Sequence, residues 1–423
     1  MNHKEKVANE PDSSLAKDER SKTLQILTSS LSGREISADL FSHELHCNPP
    51  SLTQKGEMYH GTKANIVDCL EKEIHPSVSK PRVDALVLDG PAIVHMVRPG
   101  LSVTIEEYIT TKLHPYILSR QHTVHRVDLV WDVYRPDSLK QGARLARGSG
   151  TELKVTPTTK IPSNWTGFLR VDKNKTELFA MISDSIVTMS IPTGKEVLST
   201  IGPSVVGQPL RENGMRELQC SHEEADTRIF VHVADMVHRG FCYIMVRTTD
   251  SDVVAIAVFV VQYLKPHGLK ELWISYGTGA SFKYIPVHLI ANRLGDAKSL
   301  GLLFFHSFTG CDTVSAFFGK GKTTAWETWQ NYPEVTFAFQ LLSESPPGES
   351  VIPDYIMELI ELFVCRMYKF SEKSVDEARL EGFYFKGVDF DHLPSSSDAL
   401  KQHVLRAVYQ SGHNLGEILV REF

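Results

Sequence analysis

The stretch "FCYIMVRTTDSDVVAIAVFVVQYL", residues Phe241 to Leu264, places two aspartates between two apolar runs. The first run is short and contains β-branched and aromatic residues, which is typical of a buried strand. The second run is long enough for a helix but far shorter than the ~20 residues of a membrane-spanning helix. Because one aspartate is enough to cap a helix, Asp250 and Asp252 together point to a second role.

Three more runs indicate strands. "RVDALVLDGPAIVHMV" (Arg82–Val97) has Asp89 at the end of its first apolar part, and "VHRVDLVWDVY" (Val124–Tyr134) leads to Asp132. "LKELWISYG" (Leu269–Gly277) is followed by a glycine-turned hairpin pattern. Helical patterns lie between the runs. Strands that alternate with helices predict an α/β fold with a central, mainly parallel sheet flanked by helices.

The composition divides the chain into regions. Residues 1–80 are rich in polar residues and loop signals, and we expect a weakly structured, flexible N-terminal extension. Residues 81–330 form the predicted α/β domain. Within it, residues 148–215 are rich in Gly, Pro, Ser and Thr and are predicted to be a cap or insertion. Residues 331–423 are predicted to be a helical C-terminal region.

The bulk composition excludes several classes of protein. A net charge of −6 argues against a generally basic nucleic-acid coat, although a local basic track remains compatible with it. The polar N-terminus lacks the apolar core of a secretion signal. The six cysteines show no CxxC spacing, which favours free thiols in a reducing compartment. We therefore expect an intracellular protein that does not enter membranes.

Carboxylates follow the predicted strands at the place where α/β sheets form their sites. Asp89, Asp132 and the Asp250/Asp252 pair all come at predicted carboxyl ends of strands. Grouped carboxylates repel one another unless a cation neutralises them, and hard oxygen ligands suit Mg²⁺ or Mn²⁺. Two such ions about 3.5–4 Å apart can promote phosphodiester cleavage. Each aspartate also has a simpler explanation, as a turn residue or a helix cap.

Two further motifs add acids to this set. "SHEEADTRIF" (Ser221–Phe230) places Glu224 and Asp226 at a predicted helix start. A capping box of Ser221 with Glu224 would explain the first acid but not the second. "FTGCD" brings Asp312 after a Gly-Cys turn.

The order of these motifs resembles the flap-endonuclease-like (5′ nuclease) branch of the PIN-like nuclease superfamily. That family has two acidic strand ends, an E-A-[DE] helix start, a D-x-D strand end and G-C-D leading into G-x-G-x-[KR]. The resemblance covers roughly residues 82–330 and implies a PIN-like fold with two bound Mg²⁺ or Mn²⁺ ions. The implied metal ligands are Asp89, Asp132, Glu224, Asp226, Asp250, Asp252 and Asp312.

A basic segment follows Asp132. If "RPDSLKQGARLARG" is helical, Lys140, Arg144 and Arg147 fall on one face, which could bind nucleic acid or simply be solvated. The family resembled has a Lys and an Arg on this helix that orient the scissile phosphate, and Lys140 and Arg147 are the nearest matches, with a shift of one residue in the spacing.

A "GKGK" motif offers a second phosphate-binding candidate. Its glycines would let backbone amides approach a phosphate, as in the helix-turn-helix of the nucleases resembled. A Walker A loop is excluded because it needs a glycine where Ala316 stands. The residues expected to bind nucleic acid here are Gly319, Lys320, Gly321 and Lys322.

Together these patterns predict a metal-dependent nuclease that cleaves phosphodiester bonds with structure selectivity rather than sequence specificity. DNA is expected in preference to RNA, and the nucleus in preference to the cytoplasm. The alternative is a non-catalytic PIN-like interaction module, which the complete acid set disfavours. Similar strings in uncharacterised, transposon-associated animal proteins suggest a transposon-derived origin. Internal or end cleavage and oligomeric state stay open.

Overall fold

The chain divides into two compact units. The sheet unit comprises Lys63–His306, Phe339–Pro347 and Tyr409–Phe423, and the helical unit comprises Met1–Thr62, Ser307–Ala338 and Gly348–Val408. The computed structural model describes residues 41–44, 48–74, 79–135, 138, 150–209, 216–346, 351–384 and 386–419.

The described residues form nine strands. They are β1 Thr53–Gln54, β2 Glu57–Met58, β3 Ala85–Asp89, β4 Arg126–Val130, β5 Glu196–Ile201, β6 Ser204–Gln208, β7 Tyr243–Thr248, β8 Glu271–Tyr276 and β9 Lys283–Pro286.

They also form fourteen α-helices. These are α1 Asn65–Glu71, α2 Gly90–Met96, α3 Ile105–Tyr108, α4 His114–Gln121, α5 Trp165–Phe168, α6 Asp172–Thr188, α7 Ala225–His238, α8 Ser251–Leu264, α9 Val287–Phe308, α10 Lys322–Asn331, α11 Val335–Glu344, α12 Asp354–Met367, α13 Val375–Tyr384 and α14 Ser397–Leu419. A π-helical turn joins α3 to α4, and α9 is broken at Gly295, whose φ is 75°. Among these described helices, none is both long and apolar enough to cross a bilayer.

Seven strands form one mixed sheet in the order β6-β5-β4-β3-β7-β8-β9. The five central strands run parallel to one another, and the two edge strands are antiparallel to their neighbours. The β8–β9 pair is the predicted glycine-turned hairpin. The predicted α/β class, with a mainly parallel central sheet and a helical C-terminal region, is confirmed.

Helices cover both faces of the central strands. All five residues of β3 and of β4 are buried, although successive side chains point to opposite faces. Leu86 lies beside Val127 on one face, in a core cluster that includes residues of α6. Val87 lies beside Asp128 on the other face, and the Asp128 side chain contacts His232 of α7. The parallel strands are therefore enclosed, as their continuous apolar sequences require.

The segment 148–215 is more than the predicted cap. Its residues Glu196–Ile201 form β5, which pairs in parallel with β4, and β6 completes that edge of the sheet. Helix α6, from the same segment, packs on both strands. The polar residues that suggested an insertion lie mainly in the irregular stretch before α5, residues 150–164.

Part of the predicted N-terminal extension is structured. Within residues 48–74, β1 and β2 form a short hairpin and α1 buries four side chains. Residues 1–40, 45–47 and 75–78 of that extension lie outside the described residues. The prediction of weak structure does not hold for residues 48–74.

Candidate metal centre

Asp89 stands where β3 ends and α2 begins, and its side chain is 5% exposed. One carboxylate oxygen accepts a hydrogen bond from the Ala92 backbone N–H at 3.1 Å, which makes Asp89 the N-cap of α2. The other oxygen accepts from the Thr248 hydroxyl at 2.6 Å, and Thr248 ends the neighbouring strand β7. The strand end thus presents a carboxylate that is held on both sides.

Burial raises the pKa of Asp89 to about 7, and the negative charges of Asp132 and Asp250 contribute to the rise. The hydrogen bonds from Thr248 and Ala92 oppose it. A carboxyl group with this pKa binds a proton near neutral pH. A nearby cation would favour its ionised form, since opposite charges lower the pKa of an acid.

Gly90 lets the end of β4 approach Asp89 closely. A Cβ atom at position 90 would lie 2.2 Å from the Trp131 ring, so this residue must be glycine for the two strand ends to pack. The next residue, Asp132, accepts the Ala225 backbone N–H at 2.9 Å and the Tyr134 hydroxyl at 3.0 Å. Asp132 therefore connects the end of β4 to the first turn of α7.

Helix α7 begins at Ala225, with Glu224 as its N-cap in extended backbone geometry (φ −100°, ψ 139°). A capping box led by Ser221 would require a start at position 222, so that explanation of the acids does not hold. The Glu224 side chain makes no cap hydrogen bond. Asp226 occupies the first helical turn, where the helix dipole favours a negative charge.

Helix α8 begins directly after Asp250, whose side chain accepts the Asp252 backbone N–H at 2.9 Å. The Asp250 N–H in turn donates to the Thr248 hydroxyl at 2.9 Å. A helix cap therefore accounts for Asp250. It does not account for Asp252, which lies in the first turn and is 9% exposed.

Asp226, Asp250 and Asp252 converge. One oxygen of each can be chosen so that all three lie within 4.8 Å of one another. Oxygens that share one Mg²⁺ at about 2.1 Å are about 3 to 4.2 Å apart, so side-chain movements of less than about 1 Å would bring them into range. Three carboxylates on two helix starts at the carboxyl edge of a parallel sheet are a donor set that fits Mg²⁺ or Mn²⁺.

Two residues that the sequence did not single out as site residues contact these carboxylates. The Lys63 ammonium lies 3.0 and 3.2 Å from the two Asp250 oxygens and 3.2 Å from Asp252 Oδ1. His306 donates from Nε2 to Asp252 Oδ1 at 3.0 Å. Lys63 lies in the segment predicted to be weakly structured. His306 immediately precedes the "SFTGCD" motif, which is the one sequence pattern that could have drawn attention to it.

A buried ionic network fixes α7, and hence Asp226, against β4. The Arg126 guanidinium donates to Asp128 at 2.8 and 2.6 Å and also to Asp235. His232 contacts Asp128 Oδ2 at 2.6 Å. Burial by itself would raise the pKa of Asp128, but Arg126 and His232 hold that pKa well below its usual range. The carboxylate is therefore charged and paired inside the sheet unit.

The remaining predicted residues are placed differently. Asp312 belongs to the helical unit, in a turn that the Cys311 N–H to Val314 C=O hydrogen bond closes at 3.0 Å. Lys140, Arg144 and Arg147 lie outside the described residues.

In the "GKGK" motif, Lys322 does not have the exposed position expected of a residue that binds nucleic acid. Lys322 is 2% exposed, and its ammonium donates to the Thr309 hydroxyl at 2.9 Å, so it contacts the segment just before the turn of Asp312 instead of facing solvent. Lys320 is half-buried, with its ammonium 4.9 Å from the centre of the Tyr368 ring. Gly319 and Gly321 are exposed.

Comparison with known proteins adds little to this geometry. No family model and no curated protein matches the chain. A solved flap endonuclease of bacteriophage T5, a pseudo-enzyme–product complex with DNA and metal ions, is 10% identical with a TM-score of 0.35, covering 77% of this chain and 100% of that one. A Campylobacter jejuni protein provisionally named as an arginyl-tRNA synthetase is 10% identical with a TM-score of 0.18, covering 84% and 96%. Neither likeness is close enough to establish a shared fold.

Proposed function

We propose that the sheet unit is a metal-dependent nuclease that hydrolyses phosphodiester bonds. The observation that carries the proposal is the convergence of Asp226, Asp250 and Asp252 at the carboxyl edge of the parallel sheet. Asp89 and Asp132 stand at the ends of the two adjoining strands β3 and β4. A cation that binds among these acids would stabilise their ionised forms, because opposite charges lower the pKa of a carboxyl group.

Asp226, Asp250 and Asp252 would hold a Mg²⁺ or Mn²⁺ ion. That ion supplies an activated water and stabilises charge on the phosphate oxygens. Asp132 fixes the first turn of α7 through the Ala225 N–H, and Asp89 is oriented by Thr248. These contacts limit the movement of the acids, and a reaction that depends on positioning requires that restraint.

The resemblance to the 5′ nucleases extends this proposal. It adds Glu224 and a second ion to the sheet unit, and it assigns Lys140 and Arg147 to the scissile phosphate. It also favours DNA over RNA and a structure-selective reaction. These assignments rest on the order of the sequence motifs.

A non-catalytic module is the second candidate function. The observation that favours it is the Lys63 ammonium, which sits against the carboxylates where a cation would bind. A lysine that permanently neutralises the acids would preserve the fold and remove the need for a metal.

The deciding experiment is Mn²⁺ titration calorimetry with a cleavage assay on branched and single-stranded DNA and RNA. Wild type is compared with Asp250→Asn/Asp252→Asn, in which Asn keeps the helix cap but loses the charge. The matched control is Asp184→Asn/Asp296→Asn, which removes the same charge from two exposed acids of the sheet unit.

We expect the wild type and the control to bind Mn²⁺ and to cleave, and the Asp250/Asp252 variant to do neither. A nuclease is excluded if the wild type shows no metal-dependent cleavage of any of these substrates.

A further inference from the structure

We propose that Lys63 is a displaceable counter-cation of this centre: its ammonium holds the Asp250/Asp252 position until a divalent ion replaces it. The inference rests on the proposed function, because it assumes that these carboxylates bind a metal. It assigns to Lys63 a role in setting metal affinity. The predicted ligand set does not include this residue.

The geometry makes the ammonium and the metal ion mutually exclusive. Lys63 Nζ contacts both oxygens of Asp250 and Oδ1 of Asp252, at 3.0 to 3.2 Å. A Mg²⁺ or Mn²⁺ ion on these oxygens would sit at about 2.1 Å from them, which places two cations almost in contact. Their repulsion, and the competition for the same lone pairs, requires Lys63 to leave when the ion arrives.

The position of Lys63 next to Asp250 and Asp252 is set by the packing of α1. Its carbonyl accepts the Ile66 N–H at 3.2 Å, just before α1, and the apolar side of α1 is buried and packs against α8. Glu71, in the last turn of α1, pairs with Lys283 of β9 at 2.5 Å. The backbone at position 63 is therefore tied to the helix whose start carries Asp250 and Asp252.

The side chain can nevertheless move. Lys63 is 24% exposed, and the side chains of Asp250 and Asp252 are 31% and 12% exposed, so solvent reaches the contact. A lysine side chain has four flexible carbons and a strongly hydrated head, so it can turn to solvent while its backbone stays in place. Displacement therefore needs no unfolding of α1.

The test is Mn²⁺ titration calorimetry on the full chain with Lys63→Met, which keeps an unbranched chain of four heavy atoms but removes the ammonium group and its charge. The control is Lys173→Met, which breaks an exposed pair with Glu152 in the same unit. We expect Lys63→Met to bind Mn²⁺ about tenfold more tightly than the wild type, and Lys173→Met to match the wild type.

Thermal unfolding gives a second readout. Without metal, Lys63→Met should melt below the wild type because the repulsion among the carboxylates is no longer relieved. With saturating Mn²⁺ its melting temperature should rise further than that of the wild type. A rise in melting temperature on adding Mn²⁺ thus shows that the Lys63→Met variant is folded and binds the ion.

The outcomes separate the two proposals. Tighter binding by Lys63→Met than by the wild type supports the inference. Binding by Lys63→Met where the wild type binds none overturns it, because the lysine of the wild type is then not displaced by the ion. Equal or weaker binding by Lys63→Met, with the wild type still sensitive to Asp250→Asn/Asp252→Asn, overturns the inference and leaves the proposed function standing. No Mn²⁺ binding by any variant overturns both.

Discussion

Thr248 is the residue that links two of the acidic strand ends. Its hydroxyl donates to Asp89 at 2.6 Å and accepts the Asp250 N–H at 2.9 Å, and the side chain is fully buried. One small hydroxyl therefore sets the orientation of a strand-end carboxylate and the start of α8. The sequence shows Thr248 only as an ordinary residue at the end of a strand.

Replacing Thr248 by Val should separate these roles from packing, because the shape is kept and the hydroxyl is lost. The buried Asp89 oxygen then lacks its donor, and we expect a loss of about 1–3 kcal/mol in the free energy of unfolding. The pKa of Asp89 should rise further, because the lost hydrogen bond favoured the ionised form. Urea unfolding measures the first effect. Thr248→Ser, which keeps the hydroxyl, is the control and should lose far less.

His306 should act as a positioning residue for Asp252. Its Nε2–H donates to Oδ1 of that carboxylate, and the ring is 4% exposed. His306→Phe keeps a ring but loses the donor, so we expect Mn²⁺ affinity to fall about tenfold or more, as for other partners of metal ligands. Calorimetry measures the affinity. If His306→Gln, whose amide can donate, is as weak as His306→Phe, the hydrogen bond is not the cause.

At the scale of elements, the charged network between β4 and α7 decides how firmly Asp226 is held. Asp128 is fully buried between Arg126 and His232. Asp128→Asn leaves the guanidinium without its full partner, and removing one member of a buried pair costs about 3–5 kcal/mol. We expect a loss of this size in urea unfolding, against less than about 0.5 kcal/mol for the exposed Asp184→Asn. A comparable loss in both variants would show that the network contributes no special stability.

The order of elements could be read from the sequence where apolar runs are long. Continuous apolar residues predict helix α8 and the strands β3, β4, β7 and β8. Glycines predict the turn between β8 and β9. Strands β5 and β6 could not be read this way, because Ser199 and Thr200 interrupt the apolar pattern of β5 and Gly207 that of β6. Gly207 is itself required by packing, since a Cβ there would lie 2.3 Å from the Val197 carbonyl oxygen.

The candidate site could be read only in part for a different reason. Asp89, Asp132, Asp250 and Asp252 were found because each follows a recognisable strand. Lys63 precedes a helix of seven residues, which is too short for a strong periodic signal, and 187 residues separate it from Asp250. A contact over that distance depends on tertiary packing, which local sequence patterns do not encode.

At the scale of the whole molecule, the chain divides into two compact units. In the helical unit, burial lowers the pKa of His403 to about 4. Its Nε2–H donates to the Phe308 carbonyl at 2.8 Å, and Nδ1 lies 3.4 Å from the Ser315 hydroxyl. The neutral ring thus connects α14 to the end of α9 and to the turn that follows it.

Because the folded pKa of His403 lies below the ordinary value of about 6.5, protonation favours the unfolded state. The stability of the helical unit should be complete above pH 6.5 and should fall as the pH drops towards 4, by up to about 3 kcal/mol. His403→Gln can keep the hydrogen bond to Phe308 and has no proton to gain.

Hydrogen exchange of α12 and α14 between pH 7 and 4, after correction for the intrinsic exchange rate, measures this effect. The loss of protection against exchange as the pH falls should be smaller in His403→Gln than in the wild type. An equal loss in both proteins would assign the pH dependence to other groups.

The long separation between Lys63 and its acidic partners also bears on how the protein is made. A ribosome adds about 5–20 residues per second, so Lys63 is synthesised roughly 10–40 seconds before Asp250. During that interval α1 has no α8 to pack against, and strand β7 is missing from the middle of the sheet. The nascent chain therefore cannot assemble the Asp226, Asp250 and Asp252 cluster until β7 and α8 have been added. By then the lysine is already present to meet the carboxylates, so the cluster need never be exposed without a positive charge.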